Sequence, residues 1–164
     1  MTSAARGRPN NDDATAMIDA IIEDESWTAM LPAADELAGE CQVRAAALEP
    51  ALAREIALLF CNDAAIAELN SRFRGKTGPT NVLSFPSGEA EGFLGDIALA
   101  RETCAREAEE KGISLRDHAA HLIIHGMLHL IGYDHETEDD AAVMERREAE
   151  ILDRMGIGDP YDGE

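Results

Sequence analysis

Two histidines four residues apart, His125 and His129, lie inside an apolar run spanning residues 122–131, and a third, His135, follows shortly after. At 3.6 residues per turn, that spacing stacks the first two imidazoles on one helix face, about 40° apart around the axis. Gly132 sits just beyond the run and offers the left-handed conformation that ends a helix at little cost, so the chain can double back. The reversal carries His135 towards the other two rings. Three neutral imidazoles converging in this way suit a divalent transition metal, zinc above all, with a fourth position open to water or substrate.

Histidines at this spacing also occur as core residues bonded to backbone carbonyls. The glycine and the third histidine tip the balance, because the order H-x-x-x-H-x-x-G-x-x-H matches the long zincin signature at all three ligands and the glycine. One position departs from it. The zincin signature has a glutamate directly after the first histidine, as general base, and here that place is Gly126. The metal site is expected; a peptidase is not. His121 and His125 form a second four-residue pair. His125 and His129 are preferred as ligands because they lie nearest Gly132, which leaves His121 to a supporting or core role and His118 to the surface.

A second chemical feature is residues 72–80 (RFRGKTGPT), a compact cationic stretch in an acidic protein. Such cations at a helix C-terminus complement the macrodipole without any function. Arginine also presents a planar fork suited to phosphate, and backbone at glycines can approach a ligand closely.

The elements that must position these residues follow from periodicity. Residues 16–23 alternate as a half-buried strand, with Ile18, Ala20 and Ile22 inward. A helix is expected from about Pro32 to just before Pro50. Residues 54–61 read as a central strand covered on both faces. Asn62 or Asp63 caps a helix with Ile66, Leu69 and Phe73 as apolar positions, ending near Gly75. Residues 81–86 and 93–100 are strands able to pair as a hairpin; Gly95 implies a bulge or a close approach to the metal helix, with Asp96 free to orient a neighbour. Residues 101–111 form a peripheral helix. Ser114 caps the helix carrying the histidines, and Thr137 with Asp140 caps a final one whose stripe is Ala141, Met144, Ile151, Leu152 and Met155. That makes about five helices.

At 164 residues with 45% apolar content, the chain is expected to form one domain over residues 15–157. A mobile N-terminal tail, residues 1–14, and an acidic C-terminal tail, residues 158–164, flank it. No apolar run approaches a membrane span and no export signal is visible, so a cytoplasmic location is expected. Cys41, Cys61 and Cys104 are odd in number and sit in apolar patterns, as buried reduced thiols do. The net charge of −19 argues against a protein that coats nucleic acid, but leaves room for a local basic cleft with RNA delivered by a partner.

Three segments together resemble the YbeY family of bacterial endoribonucleases, or rRNA maturation factors: residues 125–135 (HGMLHLIGYDH), 69–86 (LNSRFRGKTGPTNVLSFP) and 94–97 (LGDI). They occur in the family's order, and Asn81 stands where many members carry Asp. The resemblance implies a compact α+β domain with a mixed, roughly four-stranded sheet, and one zinc held by His125, His129 and His135. It further implies cleavage of single-stranded RNA in ribosomal RNA maturation and ribosome quality control, with the ribosome or its small subunit and associated proteins as partners. The family's functionally important arginine maps onto Arg74, as catalytic and substrate-binding residue, and Lys76 and Ser84 match the substrate-contacting remainder of that box. Two other classes stay open: a metallopeptidase using another carboxylate, and an assembly factor whose structural zinc is closed by Cys61 or Cys104.

Overall fold

The structure is a computed structural model that describes residues 16–162, so the expected tail at residues 1–14 lies outside it. In chain order its elements are β1 (Ile18–Ile22), α1 (Ser26–Met30), α2 (Ala34–Leu48), β2 (Glu55–Cys61), α3 (Asp63–Arg74), β3 (Val82–Pro86), β4 (Phe93–Ala100), α4 (Arg101–Lys111), α5 (Leu115–Leu130) and α6 (Glu138–Arg154). The sheet runs β1-β2-β4-β3. β2 pairs in parallel with β1 and β4, whereas β3 and β4 form the expected antiparallel hairpin. This is a mixed four-stranded α+β fold. The described residues hold six α-helices rather than about five, because Pro32, which has no N–H to donate, separates a short α1 from α2.

Strand alternation decides which helix covers which face. Ile56, Leu58 and Phe60 of β2, with Ile97 and Leu99 of β4, join α1, α2, α5 and α6 in the main core. Trp27 seals one end, its indole N–H donating to the Cys61 carbonyl at 2.7 Å. The opposite face is thinner: Cys61, Leu83, Ala98 and Ala100 meet Ile66 of α3. Two of β2's residues on that side, Ala57 and Leu59, are only half-buried. β2 is therefore covered on both faces, but unequally.

The helix starts follow side-chain capping. Asn62 Oδ1 accepts from the Ala65 amide at 2.8 Å, Ser114 Oγ from Asp117 at 3.0 Å and Thr137 Oγ1 from Asp140 at 3.0 Å. Each cap satisfies a backbone donor that the first turn leaves free.

α5 lies unusually close to the β3–β4 hairpin, and two glycines permit it. A Cβ on Gly126 would stand 2.9 Å from Ile97 Cγ2 and 3.0 Å from Ser84 Oγ; one on Gly95 would stand 2.5 Å from the Phe85 carbonyl and 2.7 Å from Leu130 Cδ2. The β2–β4 register also slips between Glu55 and Ile56, skipping Leu94. Both expectations for Gly95 are met: a bulge and a close approach. Asp96 does not orient anything on α5. Its exposed side chain alternates with Ile97 and so faces the α3 side of the sheet.

Candidate metal centre and cleft

The last turns of α5 present His125 and His129, and the helix closes in a Schellman motif. Tyr133 N–H donates to Leu128 O at 3.0 Å and Gly132 N–H to His129 O at 3.1 Å, with Gly132 at φ 104°. The turn returns His135 to the other two rings. Its ring centroid lies 5.6 Å from that of His125 and 5.1 Å from that of His129, and one nitrogen from each of the three falls within 4.8 Å of the others.

Hydrogen bonds fix which nitrogens face inward. His125 Nδ1 lies 2.6 Å from Glu148 Oε2, and His129 Nδ1 lies 2.8 Å from the Tyr133 carbonyl. Both partners only accept, so both Nδ1 atoms carry the proton and, in the neutral rings, both Nε2 atoms are bare lone pairs. Those lone pairs face each other at 3.1 Å. A tetrahedral zinc with bonds of about 2.0–2.1 Å spaces its ligand nitrogens about 3.3–3.4 Å apart, so the pair fits such an ion with little movement. Burial lowers the His129 pKa, and the neighbouring His125 lowers it further, which keeps the lone pair free near neutrality.

Behind the three histidines, Glu148 is fully buried on α6. Its Oε1 accepts from His121 Nε2 at 2.8 Å and from the Tyr161 hydroxyl at 2.5 Å, while Oε2 accepts from His125. Burial alone would raise its pKa; the hydrogen bonds from His121, His125 and Tyr161 override that and hold it at about 2. Neither Glu148 nor Tyr161 stood out in the sequence. A visible signal existed: Glu148 interrupts the inner stripe of α6 between Met144 and Ile151, where an acid has no business unless it is paired. Tyr161 belongs to the expected acidic tail, yet its hydroxyl reaches the buried carboxylate. His121 takes the supporting role expected of it. His118 does not lie at the surface: it is buried, with Nε2 2.8 Å from Glu107 Oε1, because α4 packs over that part of α5.

A second support holds the returning loop. The Tyr133 hydroxyl donates to Glu49 Oε2 at 2.5 Å, and Arg147 Nε binds the same oxygen at 2.8 Å. The residue whose carbonyl fixes the His129 ring is thus tied to α2 and α6.

The histidines open onto a cleft of about 540 Å³ whose opposite wall includes Arg74, Lys76, Asn81 and Ser84. Asn70, buried in α3, shapes that wall: its side-chain Nδ2 donates to Gly78 O at 3.0 Å and its backbone carbonyl accepts from the Lys76 amide at 3.2 Å. Among the described residues Arg74 and Lys76 make no ion pair, unlike Arg72, which binds Glu68. Ser84 Oγ donates to the Gly126 carbonyl at 3.0 Å, tying β3 to α5. All six residues singled out from the sequence line this one cleft. Cys61 and Cys104 are buried elsewhere, donating weakly to Leu99 O and Asn81 O. No helix among the described residues is long and apolar enough to cross a membrane.

The family profile described as Endoribonuclease YbeY matches residues 21–156. The chain is 45% identical over 155 residues to an endoribonuclease YbeY of Maricaulis maris, covering 90% of this chain and 92% of that one. It is 47% identical over 150 residues to that of Methylocella silvestris, covering 88% and 85%. A solution structure of a Thermotoga maritima protein shares the fold, with a TM-score of 0.54 and 24% identity over 90% of this chain and all of that one. The chain belongs to the endoribonuclease YbeY family.

Proposed function

We propose that this member of the endoribonuclease YbeY family cleaves single-stranded RNA in the cleft between its histidines and the Arg74 loop, with His125, His129 and His135 holding one zinc ion. The reading rests on one observation above all: two Nε2 lone pairs aimed at each other, facing unpaired cations across the same cleft. A zinc ion held there supplies Lewis acidity and acidifies bound water. Arg74, at the end of α3, neutralises charge that develops on the phosphoryl oxygens as the bond breaks. Lys76 adds a point charge for a neighbouring phosphate. Ser84, its proton committed to Gly126, keeps oxygen lone pairs for a ribose hydroxyl. The substrate is ribosomal RNA, met in the cytoplasm on the ribosome or its small subunit, and cutting serves maturation and quality control.

Two observations weigh against the other classes. A glutamate at position 126, as a zincin peptidase has, would collide with Ile97 and Ser84, so that base has no room. A closed structural zinc needs a fourth protein ligand, and neither Cys61 nor Cys104 joins the histidine cluster.

The test is cleavage of a labelled single-stranded RNA by zinc-loaded protein beside His129→Ala and Arg74→Ala. Cutting is expected from the wild type and not from His129→Ala, with Arg74→Ala slowed by about 100-fold while retaining its zinc. Removing the metal with a chelator abolishes cutting, and zinc restores it. Undiminished cutting by Arg74→Ala, or loss of its zinc, overturns the assigned role.

A further inference from the structure

The last turn of α3 carries an aromatic ring that the fold leaves outside. Phe73 continues the stripe begun by Ile66 and Leu69, so it was expected to be an apolar packing position, yet it is 58% exposed. A single exposed phenylalanine is ordinary on a protein surface. Its setting is not. Phe85 of β3 meets the ring edge-on, with centroids 5.7 Å apart and planes at 66°, and the Arg72 guanidinium stands 5.8 Å from its centre. The residues that follow Phe73 and Phe85, Arg74 and Pro86, both line the cleft. The ring therefore sits at the rim, held in place from β3, where the cationic loop begins.

A pinned, water-facing ring between cations is what an unpaired nucleobase stacks on. Single-stranded nucleic acid is held by cations along its backbone and by aromatic faces under its bases, and every base has such a face. We propose that Phe73 is a base-stacking platform, on which the nucleobase next to the phosphate at Arg74 lies. This rests on the RNA-cleaving reading above and adds where the strand leaves the cleft. The occupant is an unpaired base of either class. A duplex is excluded, because its base faces are already covered.

Steady-state cleavage of a single-stranded RNA tests the platform. Phe73→Leu, which keeps an apolar side chain against Phe85 but removes the π-face, is expected to raise KM about ten-fold and leave kcat unchanged; Phe73→Tyr is expected to match wild type. A second readout needs no cutting. Trp27 is fully buried and gives a constant background, so emission from a Phe73→Trp variant should be quenched by a single-stranded oligodeoxynucleotide and not by the same sequence as duplex. An unchanged KM for Phe73→Leu in an enzyme that cuts overturns the platform and leaves the nuclease reading standing, as does equal quenching by the duplex. Selective quenching with no cutting by wild type supports the platform and removes the nuclease reading instead.

Discussion

Replacing Glu148 by glutamine probes the support behind the metal centre without changing shape. Three donors converge on this carboxylate: His121 Nε2–H and the Tyr161 hydroxyl on Oε1, and His125 Nδ1–H on Oε2. An amide offers one acceptor and one donor group. Turned one way, its NH2 faces His125 Nδ1, which must then accept, so the ring proton moves to Nε2 and covers the lone pair that faces His129. Turned the other way, it strands both His121 and Tyr161. The folded protein holds the wild-type carboxyl at about 2 against an ordinary 4.5, which corresponds to about 3 kcal/mol of preference for the ionised group. Metal affinity is therefore expected to fall by about 10–100-fold, measured by competition with a chromophoric chelator. In the metal-free protein, urea denaturation near neutral pH should show a loss of about 3 kcal/mol. The sign of the pH dependence is fixed. Because the folded pKa is depressed, the stabilisation is complete above about 4.5 and fades as pH falls from there towards 2. The wild type and variant should converge in acid. An unchanged metal affinity, or a stability gap that persists undiminished at about pH 3, refutes the assignment of this carboxylate as an ionised anchor.

Gly126→Ala tests the close approach of α5 to the hairpin. Helix propensity alone favours alanine by about 1 kcal/mol, but the new Cβ meets the branched Cγ2 of buried Ile97 at 2.9 Å. Overpacking outweighs propensity, so denaturation should show a net loss of about 1–2 kcal/mol; a gain in stability would show that the contact gives way freely. Tyr133→Phe removes the hydroxyl that ties the returning loop to Glu49 while leaving the carbonyl that holds His129. Metal affinity should fall by on the order of five-fold, less than for Glu148→Gln. Equal affinity would mean that the Schellman turn alone positions the loop.

The convergence of the three histidines and the opposing loop were legible in the sequence because each depends on local rules. His125 and His129 follow from helix periodicity, His135 from the turn at Gly132, and the hairpin from two alternating runs flanking a glycine-rich turn. Caps at Asn62, Ser114 and Thr137 are equally local. What escaped is long-range. Glu148 and His125 are 23 residues apart and meet only once α6 packs on α5, and Tyr161 reaches them from a segment with no pattern of its own. His118 looked superficial because nothing in its own helix foretells that α4 will cover it. Phe73 failed in the opposite sense: its spacing follows the stripe, but it meets only Phe85 of the edge strand β3 and stays 58% exposed. Composition suggested that β2 is covered on both faces without showing how unequal the two layers are.

The same ligand spacing serves peptidases elsewhere, so the histidines do not choose the chemistry; the positions around them do. In a zincin the residue after the first histidine supplies a base. Here that residue gives up its side chain, and α5 presses on Ile97 and Ser84 instead. Across the cleft stands the α3–β3 loop, braced by Asn70, where Arg74 and Lys76 make no ion pair among the described residues of a protein whose net charge is −19. At physiological ionic strength charges act over about 8 Å, so the field of these two cations is confined to the cleft, while the net charge of −19 repels polyanions from the exterior. The histidine spacing is shared with peptidases; the missing side chain at position 126, with Arg74 and Lys76 across the same cleft, is what sets this chain, a member of an endoribonuclease family, apart from a zincin.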